Sequence, residues 1–283
     1  MNERDVQMFW EAHPCGDSQA EGLEKGNAGD YEQFFRRYDE FRYRQHRHLL
    51  ACLDGIGFKD QEVLEIGLGQ GADSEQIIRR GGRWSGLDLT QESVTRVRAR
   101  LALRKLPCQA LKQGSALDIP FPDNSFDLVF SHGVLHHIPE IRRAQREIAR
   151  VLKPGGTLVA MLYAKWSLNY LVSIAVIRRL GLCVLYGSGI SPNGISGDHL
   201  RNAAKMGLWK YLRLENFTHY NTDGPLNPYA VVYGIAEVRR DFPDFTLDKA
   251  YKRFMHAPPL PVRWMPLERM LGWHLWVHLR PNK

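Results

Sequence analysis

The chain has 283 residues, a formal net charge of +7 and a hydrophobic content of 44%. This composition is ordinary for a folded globular protein and excludes a low-complexity chain. The modest excess of base is compatible with nucleic acid, a membrane surface or an acidic substrate as partner, so the placement of the charge matters more than its sum.

The cysteines and the first residues of the chain bear on its cellular compartment. Four cysteines are scattered without a C-x-x-C pair: Cys15, Cys52, Cys108 and Cys183. The chain starts with polar and charged residues and no apolar segment follows them. We therefore expect unpaired thiols and a cytoplasmic location. The most apolar stretch, residues 168–185, contains Arg178 and Arg179 and is too short and too charged for a bilayer-spanning helix.

Strands and helices alternate through the first half of the chain. Residues 1–30 are predicted to form an irregular arm, and residues 31–53 are compatible with a helix. Predicted strands then lie at Glu62–Ile66, Trp84–Asp88, Phe126–Ser131 and Thr157–Tyr163, and predicted helices at Ser74–Arg80, Glu92–Leu106 and Glu140–Leu152. This order predicts an α/β fold with a parallel sheet, helices on both faces and a ligand site at the carboxyl edge of the strands.

The alternation stops after residue 164. Residues 165–230 form an insertion, after which a helix is predicted at Val231–Asp241 and strands at Phe245–Phe254 and His274–Leu279. We divide the chain into an N-terminal arm and basic helix (1–53), a core (54–164), an insertion expected to cover the site as a lid (165–230) and a C-terminal part of the sheet (231–283).

A glycine turn and an acid mark the predicted ligand site. The first strand runs into Glu65-x-Gly67-x-Gly69-x-Gly71, where glycines let the backbone turn sharply and approach a ligand. Their even spacing differs from the G-x-G-x-x-G of dinucleotide enzymes, and alone it is also compatible with a ligand-free turn. Asp88 ends the second strand about twenty residues later, where an acid can accept both hydroxyls of a ribose. Together these features indicate a nucleoside-bearing ligand.

Further motifs identify a family. Residues 114–129 (GSALDIPFPDNSFDLV), 131–139 (SHGVLHHIP) and 147–156 (EIARVLKPGG) follow the glycine turn in order. With them the chain resembles the class I S-adenosylmethionine-dependent methyltransferases, in particular the small-molecule branch (methyltransferase type 11) that includes ubiquinone and menaquinone biosynthesis enzymes. The resemblance covers residues 62–163. It implies a Rossmann-like, seven-stranded, mostly parallel sheet with an antiparallel last strand, helices on both faces and a helical lid insertion.

The resemblance also assigns S-adenosyl-L-methionine to particular residues. Gly67, Gly69 and Gly71, with Glu65 before them, are expected to face its methionine part and ribose. Asp88 is expected to bind the ribose hydroxyls, and Leu89 to lie against the adenine. The remaining contacts are expected from Ser115, Ala116 and Ser131. The family usually has an acid where Ser115 stands, and Asp118 is a candidate to replace it. No metal site is expected.

Histidines are the candidate general bases. A base is needed only when the nucleophile carries a proton that must leave. His132, His136 and His137 follow the fourth strand, and His219 lies in the insertion. His136 and His137 are also compatible with a purely structural role at the start of a helix.

The insertion carries the substrate prediction. Between positions 165 and 213 the chain has seven lysine or arginine residues, one acidic residue (Asp198) and many apolar residues. Tyr170, Arg178, His199 and Arg201 are therefore predicted to contact a lipophilic, anionic substrate. The same composition fits a solvated basic face or helices lying on a membrane.

We therefore expect an enzyme that methylates carbon or oxygen of a small lipophilic metabolite in isoprenoid, quinone or natural-product biosynthesis. An RNA or protein methyltransferase is the alternative. Asn227-Pro228-Tyr229 resembles part of an amino-methylating loop, but it stands before a helix instead of after the fourth strand. No nucleic-acid partner is expected, and peripheral membrane contact and a homodimer stay open.

Overall fold

The computed structural model of the chain describes residues 2–16 and 28–283. In the first half the elements are α1 (Glu3–Ala12), α2 (Ala28–Gln45), α3 (Leu49–Asp54), β1 (Glu62–Ile66), α4 (Ala72–Arg79), β2 (Arg83–Asp88), α5 (Gln91–Arg104), β3 (Ala110–Gln113), β4 (Phe126–His132), α6 (Ile141–Val151) and β5 (Leu152–Tyr163). A π-helical segment (Asn169–Arg178) follows, and then come α7 (Arg179–Ser188), α8 (Ile195–Met206), α9 (Leu208–Tyr211), α10 (Leu214–Thr222), α11 (Ile235–Asp241), β6 (Phe245–Arg253), α12 (Glu268–Leu271) and β7 (His274–Pro281).

Within the described residues, seven strands form one sheet in the order β3-β2-β1-β4-β5-β7-β6. The pairs among β1 to β5 are parallel, whereas β7 lies antiparallel between β5 and β6. The predicted fold class is therefore confirmed, including the antiparallel last strand. The chain changes direction across the sheet between β1 and β4, and at such a switch point the loops separate and leave a crevice at the carboxyl edge.

Helices cover both faces of the sheet. Neighbouring residues of a strand point to opposite faces, so Val63 and Leu128 pack into one buried cluster, and Leu64 and Val129 into the other. All four side chains are buried. This two-sided burial explains why β1 and β4 have apolar residues at consecutive positions, such as Val63 and Leu64, in place of an alternating pattern.

Several element bounds differ from those predicted. β5 begins at Leu152 and not at Thr157, because Leu152 already pairs with Phe126 of β4. The predicted helix 31–53 is two helices, α2 and α3. The edge strand β3 was not predicted, since its four residues are half-buried or exposed and show no apolar run.

The prediction of an irregular arm is wrong for the first residues. α1 begins at a capping box in which Asn2 and Asp5 bond each other's backbone N–H groups. Its other end is held as well, because the Glu11 carboxylate accepts hydrogen bonds from the backbone N–H groups of Gln91 and Glu92. Residues 17–27, the rest of the predicted arm, lie outside the described residues.

A buried arginine attaches α2 to the core. Arg100, on α5, donates to both carboxylate oxygens of Asp39 and to Glu75, each at 2.9 or 3.0 Å. It also donates to the carbonyl oxygen of Gln70 at 2.8 Å, and its guanidinium lies 4.5 Å from the centre of the Phe35 ring. α2 is thereby fixed beside the glycine turn.

The insertion packs mainly on the last strands. Its π-helical segment and α7 bury Ile174 and Leu182 in a cluster with Phe217, Phe254 and Trp273. Lys165 forms an ion pair with Glu237 of α11. The insertion therefore shares a hydrophobic cluster with the C-terminal part of the sheet.

Candidate functional site

A cavity of about 350 Å³ opens at the carboxyl edge of the sheet. Its walls come from the segments that follow β1, β2 and β4, from the end of β5, and from α1 and α2. The volume falls within the range of small-molecule sites, roughly 300–1,000 Å³. The location agrees with the switch point of the sheet.

The glycine turn forms one wall of the cavity. Gly67 and Gly69 line it with φ values of +79° and +51°, a region that disfavours other residues. A Cβ on Gly67 would lie 2.1 Å from Val134 Cγ2, so the turn after β1 can approach the turn after β4 only with glycine there. Gly71 also has a positive φ but caps α4 against Val97 and Arg100 and does not line the cavity.

Asp88 lies at the tip of β2 and lines the cavity, as predicted. One carboxylate oxygen accepts from the backbone N–H of Leu68 at 2.7 Å, and the other accepts from the N–H and the hydroxyl of Thr90 at 2.8 Å. Burial raises the pKa of Asp88, and these bonds oppose that effect. The carboxylate is thus held in one orientation while it faces the cavity.

Two predicted cofactor residues have structural contacts instead. Glu65 does not line the cavity, because its carboxylate accepts from Ser74 Oγ at 2.6 Å and from Trp84 Nε1 at 2.7 Å behind the turn. Burial raises the pKa of Glu65 to about 8. Ser131 Oγ donates to the carbonyl oxygen of Ile66 and links β4 to β1. Both residues support the glycine turn from outside the cavity.

A residue that was not predicted lies at the end of the cavity where the adenine is expected. Leu89 and Ala116 line the cavity, and Ser115 does not. The Ser115 hydroxyl donates to the carboxylate of Glu3, on α1, and Glu3 itself lines the cavity. A carboxylate of the N-terminal helix therefore lies beside position 115 and faces the cavity.

The opposite end of the cavity contains a histidine paired with an acid. His132 Nδ1 lies 2.7 Å from the Oδ2 atom of Asp73, and Arg42 Nη2 lies 2.6 Å from the same oxygen. All three residues line the cavity. Arg42 Nη2 also lies 2.9 Å from His132 Nδ1. Because the carboxylate can only accept, we assign the Nδ1 proton to the bond with Asp73 and the Arg42 proton to the same carboxylate oxygen, which is the nearer of its two neighbours. The Nε2 atom of His132 is buried and has no hydrogen-bond partner among the described residues.

The charges around His132 set its protonation. Burial lowers the pKa of His132 below its usual value, although Asp73 acts in the opposite direction. Burial alone would raise the pKa of Asp73, but Arg42 and His132 hold it below the usual range. At neutral pH the pair is therefore a carboxylate beside a neutral imidazole, which is the state that a general base requires.

A second polar group lies at the same end. Tyr163, on β5, donates its hydroxyl proton to Asp223 at 2.7 Å, and His137 Nε2 lies 3.4 Å from that carboxylate. All three residues line the cavity. Among the described lining residues, Asp223 is the one that the insertion contributes.

The other predicted catalytic residues do not reach the cavity. His136 is buried against the Tyr163 ring, with ring centres 3.8 Å apart, and burial lowers its pKa strongly. His219 Nδ1 lies 2.6 Å from the carbonyl oxygen of Ala230. Neither residue lines the cavity, so His132 and His137 are the candidate histidines that reach it.

The predicted substrate residues of the insertion also lie elsewhere. Tyr170, Arg178, His199 and Arg201 do not line the cavity. Arg178 donates to the carbonyl oxygen of Asn221 at 2.8 Å, His199 Nδ1 lies 2.6 Å from the Tyr211 hydroxyl, and Arg201 pairs with Asp198 at the surface. Tyr170 packs at the edge of the insertion's own hydrophobic cluster. Their substrate contact is not supported, because none of the four side chains lines the cavity and each has partners elsewhere.

No metal cluster is present in the part of the chain that the structure describes, where His, Cys, Asp and Glu form no group of three placed to hold an ion.

Comparisons with known proteins place a methyltransferase domain in this part of the chain. Residues 64–160 match the family described as a methyltransferase domain. A sterol 24-C-methyltransferase of Gibberella zeae is 37% identical over 182 residues, which cover 61% of this chain and 45% of that protein. A demethylmenaquinone methyltransferase of Tropheryma whipplei is 35% identical over 99 residues, covering 35% of this chain and 40% of that protein. The chain thus spans less than half the length of these relatives.

The solved structures agree in fold. An S-adenosylmethionine-dependent methyltransferase from Mesorhizobium loti superposes with a TM-score of 0.52 at 15% identity, over 81% of this chain and 96% of that one. The sheet order and the cavity at its carboxyl edge define a class I Rossmann-like domain. Residues 64–160 thus match a methyltransferase domain, and the chain shares its fold with a solved S-adenosylmethionine-dependent methyltransferase.

Proposed function

We propose that this protein transfers a methyl group from S-adenosyl-L-methionine to an oxygen or carbon of a small lipophilic metabolite. One observation carries the proposal: a single cavity joins Asp88 and the glycine turn at one end to the Asp73–His132 pair at the other. A methyl donor and a base that prepares the acceptor must share one water-poor space.

The residues present fit the cofactor. The open glycine turn leaves room for the amino-acid portion, and the oriented Asp88 carboxylate has the geometry to accept from ribose hydroxyls. Leu89, Ala116 and Val6 supply an apolar slot for the adenine. When bound, the cofactor supplies an electrophilic methyl group on a sulfonium.

We assign the base to His132. Its Nε2 atom would take the proton from the acceptor and so free an electron pair on the acceptor for the methyl group that a bound cofactor would supply. Asp73 holds the ring and stabilises the imidazolium that forms, and Arg42 keeps Asp73 ionised. The chain's contribution is thus orientation, proton removal and exclusion of water.

The acceptor is proposed to be lipophilic and uncharged. Tyr38, Met161 and Tyr163 line the acceptor end. Among the described lining residues Arg42 is the one arginine or lysine, and it is already paired with Asp73. The relatives named for a sterol and for demethylmenaquinone support an acceptor of this class. The earlier expectation of an anionic substrate loses its basis, because the bases of the insertion do not line the cavity.

The test is a transfer assay with S-adenosylmethionine labelled in the methyl group. The purified protein is incubated separately with lipid extract, water-soluble metabolites, RNA and protein. We expect label in the lipid fraction, and none there with the His132→Gln variant. Label that enters RNA or protein in preference would favour the alternative class and contradict the lipophilic acceptor.

The N-terminal helix gives a prediction on the cofactor end. We propose that Glu3, oriented by Ser115, accepts a hydrogen bond from the adenine amino group. Glu3→Gln is then expected to lower affinity for S-adenosylhomocysteine roughly threefold to tenfold, as for the loss of one hydrogen bond. The measurement is calorimetric titration, repeated with the deaminated analogue that carries inosine.

The inosine analogue distinguishes loss of adenine recognition by Glu3 from weaker packing of the whole helix α1. Wild-type protein should bind the adenosine compound more tightly than the inosine compound, and Glu3→Gln should lose this discrimination. Arg4→Gln, an exposed neighbour on the same helix, is the matched control and should behave as wild type. If wild type and Glu3→Gln prefer the adenosine compound over the inosine compound to the same degree, another group recognises the adenine.

A further inference from the structure

The outer side of the insertion has an exposed apolar stripe. Val176, Leu180 and Val184 are 47%, 61% and 73% exposed, and their spacing of four residues places them on one helical face. They belong to the continuous helix Asn169–Ser188, whose most apolar window has a mean hydropathy of 1.6 and is only 17% buried. The following turn and helices add exposed Ile190, Ile195 and Trp209. A contiguous exposed apolar surface of this kind marks an interaction site.

The expectation that residues 168–185 are too short and too charged to span a bilayer is wrong by these criteria, because the helix Asn169–Ser188 could cross a membrane by length and composition. Its inner face, however, belongs to the domain. Ile174 and Leu182 are buried in the cluster that contains Phe254 and Trp273. Arg178 donates to the carbonyl oxygen of Asn221, and Ser173 donates to that of Pro258. A crossing helix would lose all of these contacts, whereas a helix that lies on the membrane surface keeps them.

The charge of the insertion is complementary to an anionic surface. Lys205, Lys210 and Arg213 are exposed and have no ion-pair partner among the described residues. Asp198, the one acid between residues 165 and 213, is already paired with Arg201. Exposed apolar residues together with unpaired bases are the composition of an interfacial membrane anchor.

We infer that the outer face of the insertion is a membrane-docking surface that binds bilayers containing anionic lipid. The apolar stripe (Val176, Leu180 and Val184) enters the acyl boundary, and the bases contact the headgroups. This inference stands on the exposed surface and does not depend on the proposed methyl transfer. Where both hold, the inner side of the docked insertion packs against Tyr163, which lines the cavity, and a lipophilic acceptor has a short route from the bilayer.

The experiment is co-sedimentation of the full chain with vesicles of phosphatidylcholine alone and of phosphatidylcholine with phosphatidylglycerol. We expect binding to the anionic vesicles and weaker binding to the neutral ones. The double variant Leu180→Asp, Val184→Asp should partition at least about tenfold more weakly, since two apolar contacts with the bilayer are lost. Leu103→Asp, on α5, is the matched control and should bind as wild type.

Charge and folding are tested separately. The double variant Lys205→Gln, Lys210→Gln should lose the preference for anionic vesicles while it keeps weak binding to neutral ones. Hydrogen exchange on the wild-type protein should show new protection at residues 176–186 when anionic vesicles are added. This measurement needs no variant, so it decides the proposal even if an aspartate variant fails to fold.

Three results would overturn the inference. The first is an absence of both vesicle binding and protection. The second is equal loss of binding in the Leu103→Asp control. The third is a dimer of the wild-type chain, seen by analytical ultracentrifugation, that the stripe variant dissociates while vesicle binding stays the same. That last result would assign the surface to a second copy of the chain.

Discussion

Replacing His132 by glutamine is expected to lower kcat by about 10²- to 10⁴-fold, the usual contribution of a general base. Its buried Nε2 atom is available to take a proton, and glutamine has no group that can do so near neutral pH. Affinity for S-adenosylhomocysteine should stay the same, because His132 lies at the acceptor end of the cavity. Single-turnover kinetics and calorimetric titration measure the two quantities independently. His219→Gln is the control, since His219 does not line the cavity.

The pH dependence follows from the direction of the pKa shift. Because burial lowers the pKa of His132, the imidazole is neutral at pH 7, and the rate should fall only as the pH drops through a pKa below 6.5. Asp73 raises that pKa, so Asp73→Asn should move the acidic limb of the profile to lower pH and reduce the maximal rate. An unchanged kcat in His132→Gln, or an acidic limb that Asp73→Asn leaves in place, would show that the acceptor needs no base from this pair.

Asp88→Asn should weaken S-adenosylmethionine binding at least about tenfold, because a charge-assisted contact with the ribose is worth about 1.5–3 kcal/mol. Asp88→Ala should cost more. The carboxylate also accepts the backbone N–H of Leu68, so alanine would in addition leave part of the glycine turn without its acceptor. Calorimetric titration gives the affinities, and thermal unfolding shows the loss of stability that is expected for alanine.

Asp118→Asn is the control for Asp88. Asp118 is exposed, and the sequence left it as a candidate to replace the missing acid at position 115. We expect its substitution to leave affinity unchanged. If Asp118→Asn weakens binding and Asp88→Asn does not, the ribose and adenine sites are misplaced.

The sheet was predictable because its signals are local. An apolar run such as Glu62–Ile66, followed by glycines with a positive φ, specifies a strand and a turn through neighbouring residues alone. Asp88 was predictable for the same reason, since it ends the next apolar strand. The division of the chain into its four parts stays a prediction.

The contacts across the cavity were not predictable in this way. Asp73 lies in the first turn of α4, where an acid is common, and only the approach of β4 places it beside His132. Glu3 belongs to a segment predicted to be irregular, and only the docking of α1 brings it to Ser115. The basic, aromatic residues of the insertion showed the composition of a substrate site, yet their partners proved to be in the insertion itself.

The sequence by itself therefore determined the fold class, most of the strands, the glycine turn and the position of Asp88 at the tip of β2, because each depends on periodicity or on residues close in the chain. The tertiary structure alone decided which histidine has an acid partner, which helix closes the cofactor end, and which face of the insertion stays uncovered. Those features depend on side chains that are far apart in sequence, such as Glu3 and Ser115, and no local pattern records how they meet.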